Sequence, residues 1–255
     1  MLNDNAVVIG GLGVVGTATR KSLGIKDYFD LKGSTITLKD IAAKKRYIFI
    51  CLPTPAKNSV HQVKPIKDII KQIEQYEGGQ HVFVVRSTTT PGQLDHMSDE
   101  LGIDSIVHYP EFLTMSTWEK DILDPELVVV GARKKDYGEQ VMGIIMARYS
   151  GGPSYFLTNL VTSELIKTGI NSFYAMKVVF ANEMYDFAQK VGADYDTFRE
   201  ALYARKWIGR NHLRAIFNGV RGVRGRCLPK DLDALATVTN SKLLRVVKEL
   251  NKKWT

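Results

Sequence analysis

Cys227 sits in the stretch RGRCLPKD, Arg224 to Asp231, among arginines and two residues ahead of Pro-Lys-Asp. Cationic neighbours favour the thiolate, the reactive form of cysteine. The residue types therefore allow a nucleophile as well as a buried structural thiol. Lys167 and Asn171 lie four apart in a largely apolar helical stretch, so they share one helix face. A lysine in such surroundings needs a ligand or a buried partner. Gly169 between them costs ~1 kcal/mol in a helix interior and lets another backbone or a ligand approach closely. Glu111 follows a strand-like run in HYPEFL, where a carboxylate can be a general base or an ordinary loop acid. Hydroxyls bunch in RSTTTPG (86–92) after another such run, where they could hold water or a cofactor, or cap a helix. Pro-Thr-Pro (53–55) ends a third run and puts Thr54 at a carboxyl strand edge, where ligands bind in open α/β sheets.

The elements that must carry these residues are readable. AVVIG (6–10), YIFICLP (47–53), HVFVVRS (81–87), SIVHY (105–109) and ELVVVGA (126–132) are Val/Ile-rich with little alternation. Such runs suit strands buried on both faces. Helical patterns between them end in Gly-Gly, and the alternation predicts a doubly wound parallel sheet, an α/β fold. Gly11, Gly13 and Gly16 form GxGxxG between the first strand and a helix. Glycine there serves a tight turn, the approach of a pyrophosphate and helix–strand packing. The stretch from Gly11 through Leu12, Gly13, Val14 and Val15 to Gly16 is thus a dinucleotide-binding candidate. Asp30 lies 19 residues after Gly11 and could accept from an adenosine ribose, favouring NAD over NADP, with Asp27 as its rival.

Beyond Ser150–Pro153 the character changes. Residues 158–192 contain no proline and read as one long helix, apolar on more than one face, buried between helices or between subunits. A second helix follows over ADYDTFREALYARK, and LDALATVTNSKLLRVVKELNKKW reads as the last. The expected division is a Rossmann-like domain over 1–152 and an all-helical domain over 153–255. A homodimer through the long helix is expected.

Two cysteines without paired spacing argue against a disulfide framework or a zinc site, and they fit a reducing, cytoplasmic setting. Scattered histidines suggest no metal. The N-terminus reads as a first strand rather than a secretory signal, and no apolar run reaches the roughly 18 residues of a membrane span. The net charge of +8 is uneven: from Arg199 onward it is +10, and the preceding residues sum to −2. A basic C-terminal quarter implies an anionic partner, either a phosphorylated small molecule or nucleic acid. The basic residues concentrate around Cys227 and no nucleic-acid motif accompanies them, so the small molecule is the simpler expectation.

In order along the chain, the GxGxxG, PTP, RSTTTPG, PEFL, SELIKTGINSFYAMKVVFANEM, GADYDTF and CLPKD segments resemble the UDP-glucose/GDP-mannose dehydrogenase family. RSTTTPG corresponds to the family's KSTxPxG, the SELIKTGIN helix to ELxKxxxN, and CLPKD to the end of GFGGxCxPKD. The resemblance implies four-electron oxidation of a sugar CH2OH to a carboxylate with two NAD+. It makes Cys227 the nucleophile that forms a thiohemiacetal and then a thioester. Lys167 and Asn171 would stabilise the oxyanion, Asp231 would assist proton removal, and water near Glu111 would hydrolyse the thioester. Thr88 matches the family threonine near cofactor and water, and Lys230 the lysine of CxPKD. With Thr54, Pro55 and Ser87, Thr88 and Lys230 would contact NAD. Glu111, Phe112, Leu113, Lys167 and Asn171 would contact the sugar, and Arg221, Arg224 and Arg226 could hold the substrate pyrophosphate.

Three departures accompany the resemblance. The family's third, C-terminal nucleotide-site domain has no counterpart here, which implies reduced nucleotide recognition, a site completed by another subunit, or a different substrate. The glutamate and glycine of PEFLxEG fall on Met115 and Ser116. Arg224 replaces a glycine of GFGGxC, and Trp207 stands where the family has the arginine of RIG. UDP-glucose is the first candidate substrate. A two-electron hydroxyacid or 6-phosphogluconate-type dehydrogenase and an inactive NAD/nucleotide-sugar-binding module are the alternatives.

Overall fold

The computed structural model describes residues 2–76, 79–114, 117–149 and 152–255. Met115, Ser116, Ser150 and Gly151 lie outside them. The chain forms two compact units, one of residues 1–55 and 61–167 and one of residues 56–60 and 168–255.

The strands are β1 (Ala6–Ile9), β2 (Tyr28–Phe29), β3 (Tyr47–Ile50), β4 (Ala56–Lys57), β5 (Val60–His61), β6 (Val82–Val85), β7 (Ile106–His108), β8 (Leu127–Ala132), β9 (Ser154–Thr158), β10 (Ile216–Phe217) and β11 (Val220–Arg221). The helices of the first unit are α1 (Leu2–Asn5), α2 (Val14–Leu23), α3 (Leu38–Lys44), α4 (Lys64–Glu74), α5 (Gln93–Leu101), α6 (Trp118–Leu123) and α7 (Lys135–Arg148). Helix α8 (Leu160–Val191) runs from the first unit into the second, which adds α9 (Tyr195–Ala204), α10 (Leu228–Val238) and α11 (Lys242–Asn251).

The first unit is a seven-stranded sheet in the order β2-β1-β3-β6-β7-β8-β9. Its strands carry apolar residues on both faces because helices cover both. Along β1, Ala6 and Val8 enter one core with Phe49, Val82, Val84 and Ile145, while Val7 and Ile9 enter the other with Ile48, Ile70, Phe83 and Leu94. In α4, Ile66, Ile69, Ile70 and Ile73 recur at helical spacing and are all buried. The doubly wound parallel sheet holds with one exception: β8 runs antiparallel to β7, pairing Val107 with Ala132 and His108 with Gly131. Strand β9 then joins β8 in parallel. Because β1 is flanked by β2 and β3, the order reverses at β1, and the crevice for a ligand opens at the carboxyl ends of β1 and β3.

The second unit packs Ala175 and Val179 of α8 against Leu232, Leu235, Leu244 and Val247 of α10 and α11. The single last helix expected over 232–254 is broken. Asn240 adopts φ 53°, and the Ser241 side chain accepts from Leu244 N at 3.3 Å to start α11. The Thr-Asn-Ser run is the local cause, since such residues favour turns and helix N-caps over helix interiors.

Candidate active site

The first turn after β1 is built around close backbone approach. A Cβ on Gly16 would lie 2.1 Å from Gly10 O, and one on Gly11 would lie 2.4 Å from Tyr28 Cβ. Above Gly13 the nearest heavy atom is 3.5 Å away, so space remains beside the turn. Helix α2, with Val14 and Val15 in its first turn, begins there without a side-chain cap. Its first N–H groups are therefore available to an anion. Asp30 Oδ2 accepts from Leu12 N at 3.1 Å, which brings this carboxylate to the turn. Asp27 instead takes Lys45 at 2.6 Å. The geometry separates two acids that the spacing leaves open. The glycine cradle, the helix start and the acid beside them fit a dinucleotide.

On the other side of the switch point the loops are tied to one another. Thr54 Oγ1 donates to Thr88 O at 2.7 Å, and Ser87 Oγ donates to Leu52 O at 2.7 Å. Pro53 and Pro55 stiffen the first of these loops. Lys167 Nζ, with a side chain 5% exposed, lies 3.3 Å from Glu111 Oε1 and 5.3 Å from the centre of the Phe112 ring. Glu111 Oε2 accepts from Leu113 N at 2.6 Å, which fixes the carboxylate.

Two contacts that local sequence reading misses hold the first turns of α8. The Glu164 carboxylate is buried and accepts from Thr89 Oγ1 at 2.7 Å, Gly92 N at 2.6 Å and Leu94 N at 3.1 Å. His108 Nδ1 meets Ser163 Oγ at 2.8 Å, and that hydroxyl donates to Leu160 O. One turn before Lys167, the helix is thus fastened to the segment after β6 and to the end of β7. The available signal was a glutamate three residues before Lys167 on an apolar helix.

Burial outweighs these donors and raises the Glu164 carboxyl to about 7. Its proton is retained in the native protein where an unfolded glutamate, near 4.5, has lost it. This contribution to stability is complete below pH ~4.5 and is lost as pH rises through about 7. Denaturant unfolding of the wild type and Glu164→Gln at pH 4.5 and 7.5 should show the gap moving toward the glutamine variant by about 3 kcal/mol. A gap independent of pH would contradict this.

In the second unit, Asn171 Nδ2 donates to Asp231 Oδ2 at 2.6 Å, and Lys230 Nζ lies 2.6 Å from Asp231 Oδ1. Asp231 is fully buried. It lies one helical turn beyond Cys227, which is exposed at the N-cap of α10, and Asp231 N donates to Cys227 O at 3.0 Å. Of the three loop arginines, Arg221 is committed to α8: it donates to Asn182 Oδ1 at 2.9 Å and pairs with Asp186 at 2.6 Å. Arg224 donates to Arg221 O at 2.8 Å and Trp254 O at 2.6 Å, and Arg226 is exposed. Among the described residues no group of three or more His, Cys, Asp or Glu is arranged to hold a metal, and no helix is long and apolar enough to cross a membrane.

A switch-point sheet with a glycine turn, followed by a long helix carrying a buried lysine and an Asn–Asp pair, defines a dinucleotide-binding α/β protein with a helical companion. Residues 24–147 match the NAD binding domain of the UDP-glucose/GDP-mannose dehydrogenase family, and residues 161–253 match its central domain. The chain belongs to that family, and NAD is the cofactor of its first domain. A UDP-glucose 6-dehydrogenase of Rickettsia prowazekii is 32% identical over 215 residues, covering 80% of this chain and 49% of the relative. A UDP-glucose 6-dehydrogenase of Bacillus subtilis, YwqF, is 29% identical over 223 residues, covering 82% and 49%. The chain spans about half the length of the curated relatives it matches. A UDP-glucose dehydrogenase structure from Pyrobaculum islandicum shares the fold with a TM-score of 0.82 at 21% identity, over 98% of this chain and 68% of that one.

Proposed function

We propose that the chain carries the catalytic residues of a nucleotide-sugar 6-dehydrogenase that oxidises a sugar CH2OH to a carboxylate, with UDP-glucose as the first candidate substrate. The observation that carries this reading is the Asn171–Asp231–Lys230 cluster, one helical turn beyond an exposed Cys227. Bound NAD+ supplies the hydride acceptor, once for each two-electron step. In the first step the alcohol proton passes through a water to Asp231. Lys167 and Asn171 donate to the oxygen as negative charge develops on it, the kind of preorganised stabilisation that contributes most to such barriers. Cys227 then adds to the aldehyde carbon, and the new C–S bond retains a reactive intermediate between steps. Departure of the second hydride leaves a thioester. Water activated at Glu111 cleaves it, releasing the carboxylate and restoring the thiol. Arg226 remains available for the substrate phosphates, whereas Arg221 is held by Asn182 and Asp186. NADH formation that depends on a nucleotide sugar tests the reading, and its absence with every sugar of a panel would overturn it.

The same reading includes a homodimer. Leu165, Phe173, Phe180, Phe187 and Val191 are each at least 45% exposed and fall along one arc of α8. A Cβ on Gly169, in the same arc, would meet nothing within 4 Å. The seven-residue spacing of the three phenylalanines suits a helix seam against a second copy. Sedimentation velocity should give a dimer for the wild type and a folded monomer for the Phe180→Asp, Phe187→Asp double variant. A monomeric wild type would contradict the seam.

A further inference from the structure

Arg86 is 2% exposed, immediately after β6, with its guanidinium 4.0 Å over the Tyr109 ring. Its Nε has no hydrogen-bond partner, and no described carboxylate forms an ion pair with it. A buried charge is ordinarily paired, and arginine does not escape by deprotonation. Neighbouring groups do not neutralise it. Burial pushes the Cys51 thiol up to about 11 and the His108 imidazole down to about 3, so both are uncharged at neutral pH.

Its place is fixed by the sheet: Arg86 N donates to Ile50 O at 2.9 Å at the carboxyl end of β6, and Cys51 N, next to Ile50, donates to Ile9 O at 2.9 Å. The backbone oxygen of Cys51 is 2.5 Å from where a Gly10 Cβ would stand, so Cys51 floors the glycine turn. Arg86 therefore stands at the strand ends beside the turn that suits a pyrophosphate. With Asp30 marking the adenosine side beyond β1, the nicotinamide half of the cofactor belongs over the ends of β3 and β6.

We infer that Arg86 is a fixed cation that biases bound cofactor toward NADH. The oxidised nicotinamide ring carries a positive charge, which the added hydride removes. A cation in the low-dielectric floor disfavours the charged ring and favours the neutral one. The consequence is a larger driving force for hydride acceptance and a tighter hold on NADH. The inference rests on NAD binding by this domain but not on turnover.

The test is equilibrium titration of the full chain with NAD+ and NADH separately, for the wild type, Arg86→Lys and Arg86→Met. The wild type should bind NADH more tightly than NAD+. The ratio of the two Kd values should fall by about tenfold in Arg86→Met, as expected for loss of one nearby charge, and be largely kept in Arg86→Lys. Arg86→Gln, which keeps a polar head, replaces Arg86→Met should the latter not fold. An unchanged ratio with both ligands weakened equally would overturn the inference and make Arg86 a pyrophosphate anchor. Failure of the wild type to bind either dinucleotide would overturn the cofactor assignment along with it.

Discussion

A Cys227→Ala variant is expected to lose overall NADH production by on the order of 10³-fold or more, the scale on which nucleophile removal acts. Its stability should be unchanged within about 0.5 kcal/mol, because the side chain is exposed and its loss opens no cavity. That combination separates a chemical role from a structural one. A thiol needed for packing would give the opposite result, a destabilised protein whose folded fraction turns over normally. The variant should still bind NAD+ as the wild type does, because the glycine turn and Asp30 belong to the other compact unit. Wild-type turnover in Cys227→Ala would remove the covalent steps from the account and favour a two-electron dehydrogenase.

The second large effect is expected at Lys167. Lys167→Met keeps the length and apolar stem of the side chain but removes the ammonium that faces Glu111. Loss of a preorganised donor to a developing oxyanion should lower kcat by about 10²–10³-fold. Glu111 would be left partly buried with only its Leu113 N contact among the bonds described, at a cost of about 1.5–3 kcal/mol in unfolding free energy. The two effects can be pulled apart. In a Lys167→Met, Glu111→Gln double variant the unpaired carboxylate is gone, so stability should recover, while the first hydride transfer, which does not use Glu111, stays slow in a single turnover. Recovery of both would mean that Lys167 acts only by pairing with Glu111.

Much of the framework was legible because its residues say one thing at every level. The Val/Ile runs became strands β1, β3, β6, β7 and β8, and the proline-free stretch became α8. Strand β2 has only two residues and no apolar run of its own, so nothing local announced it. The reversed direction of β8 is a matter of chain path, and direction leaves no mark on a short apolar strand. The break at Asn240 was visible in kind, but the apolar spacing on either side of it reads as continuous.

The candidate site divides in the same way. Residues in turns with glycine, proline or hydroxyl neighbours could be singled out, because those types have few other uses there. Glu164, His108 and Arg86 could not, because their meaning lies in burial: an acid on an apolar helix, a histidine in a strand and an arginine after one are unremarkable until their surroundings are known. Arg221 is the converse. Sequence placed it among substrate contacts beside Cys227, and only the structure reveals Asn182 and Asp186 already bound to it.

In the proposed reaction one polypeptide carries both two-electron steps through a single cysteine. The direct measurement is the NADH absorbance endpoint with excess NAD+ and limiting UDP-glucose, followed by other nucleotide sugars. Two NADH per sugar are expected, with an acid product, and this yield should be lost in Cys227→Ala. One NADH per sugar, unaffected by Cys227→Ala, would contradict it.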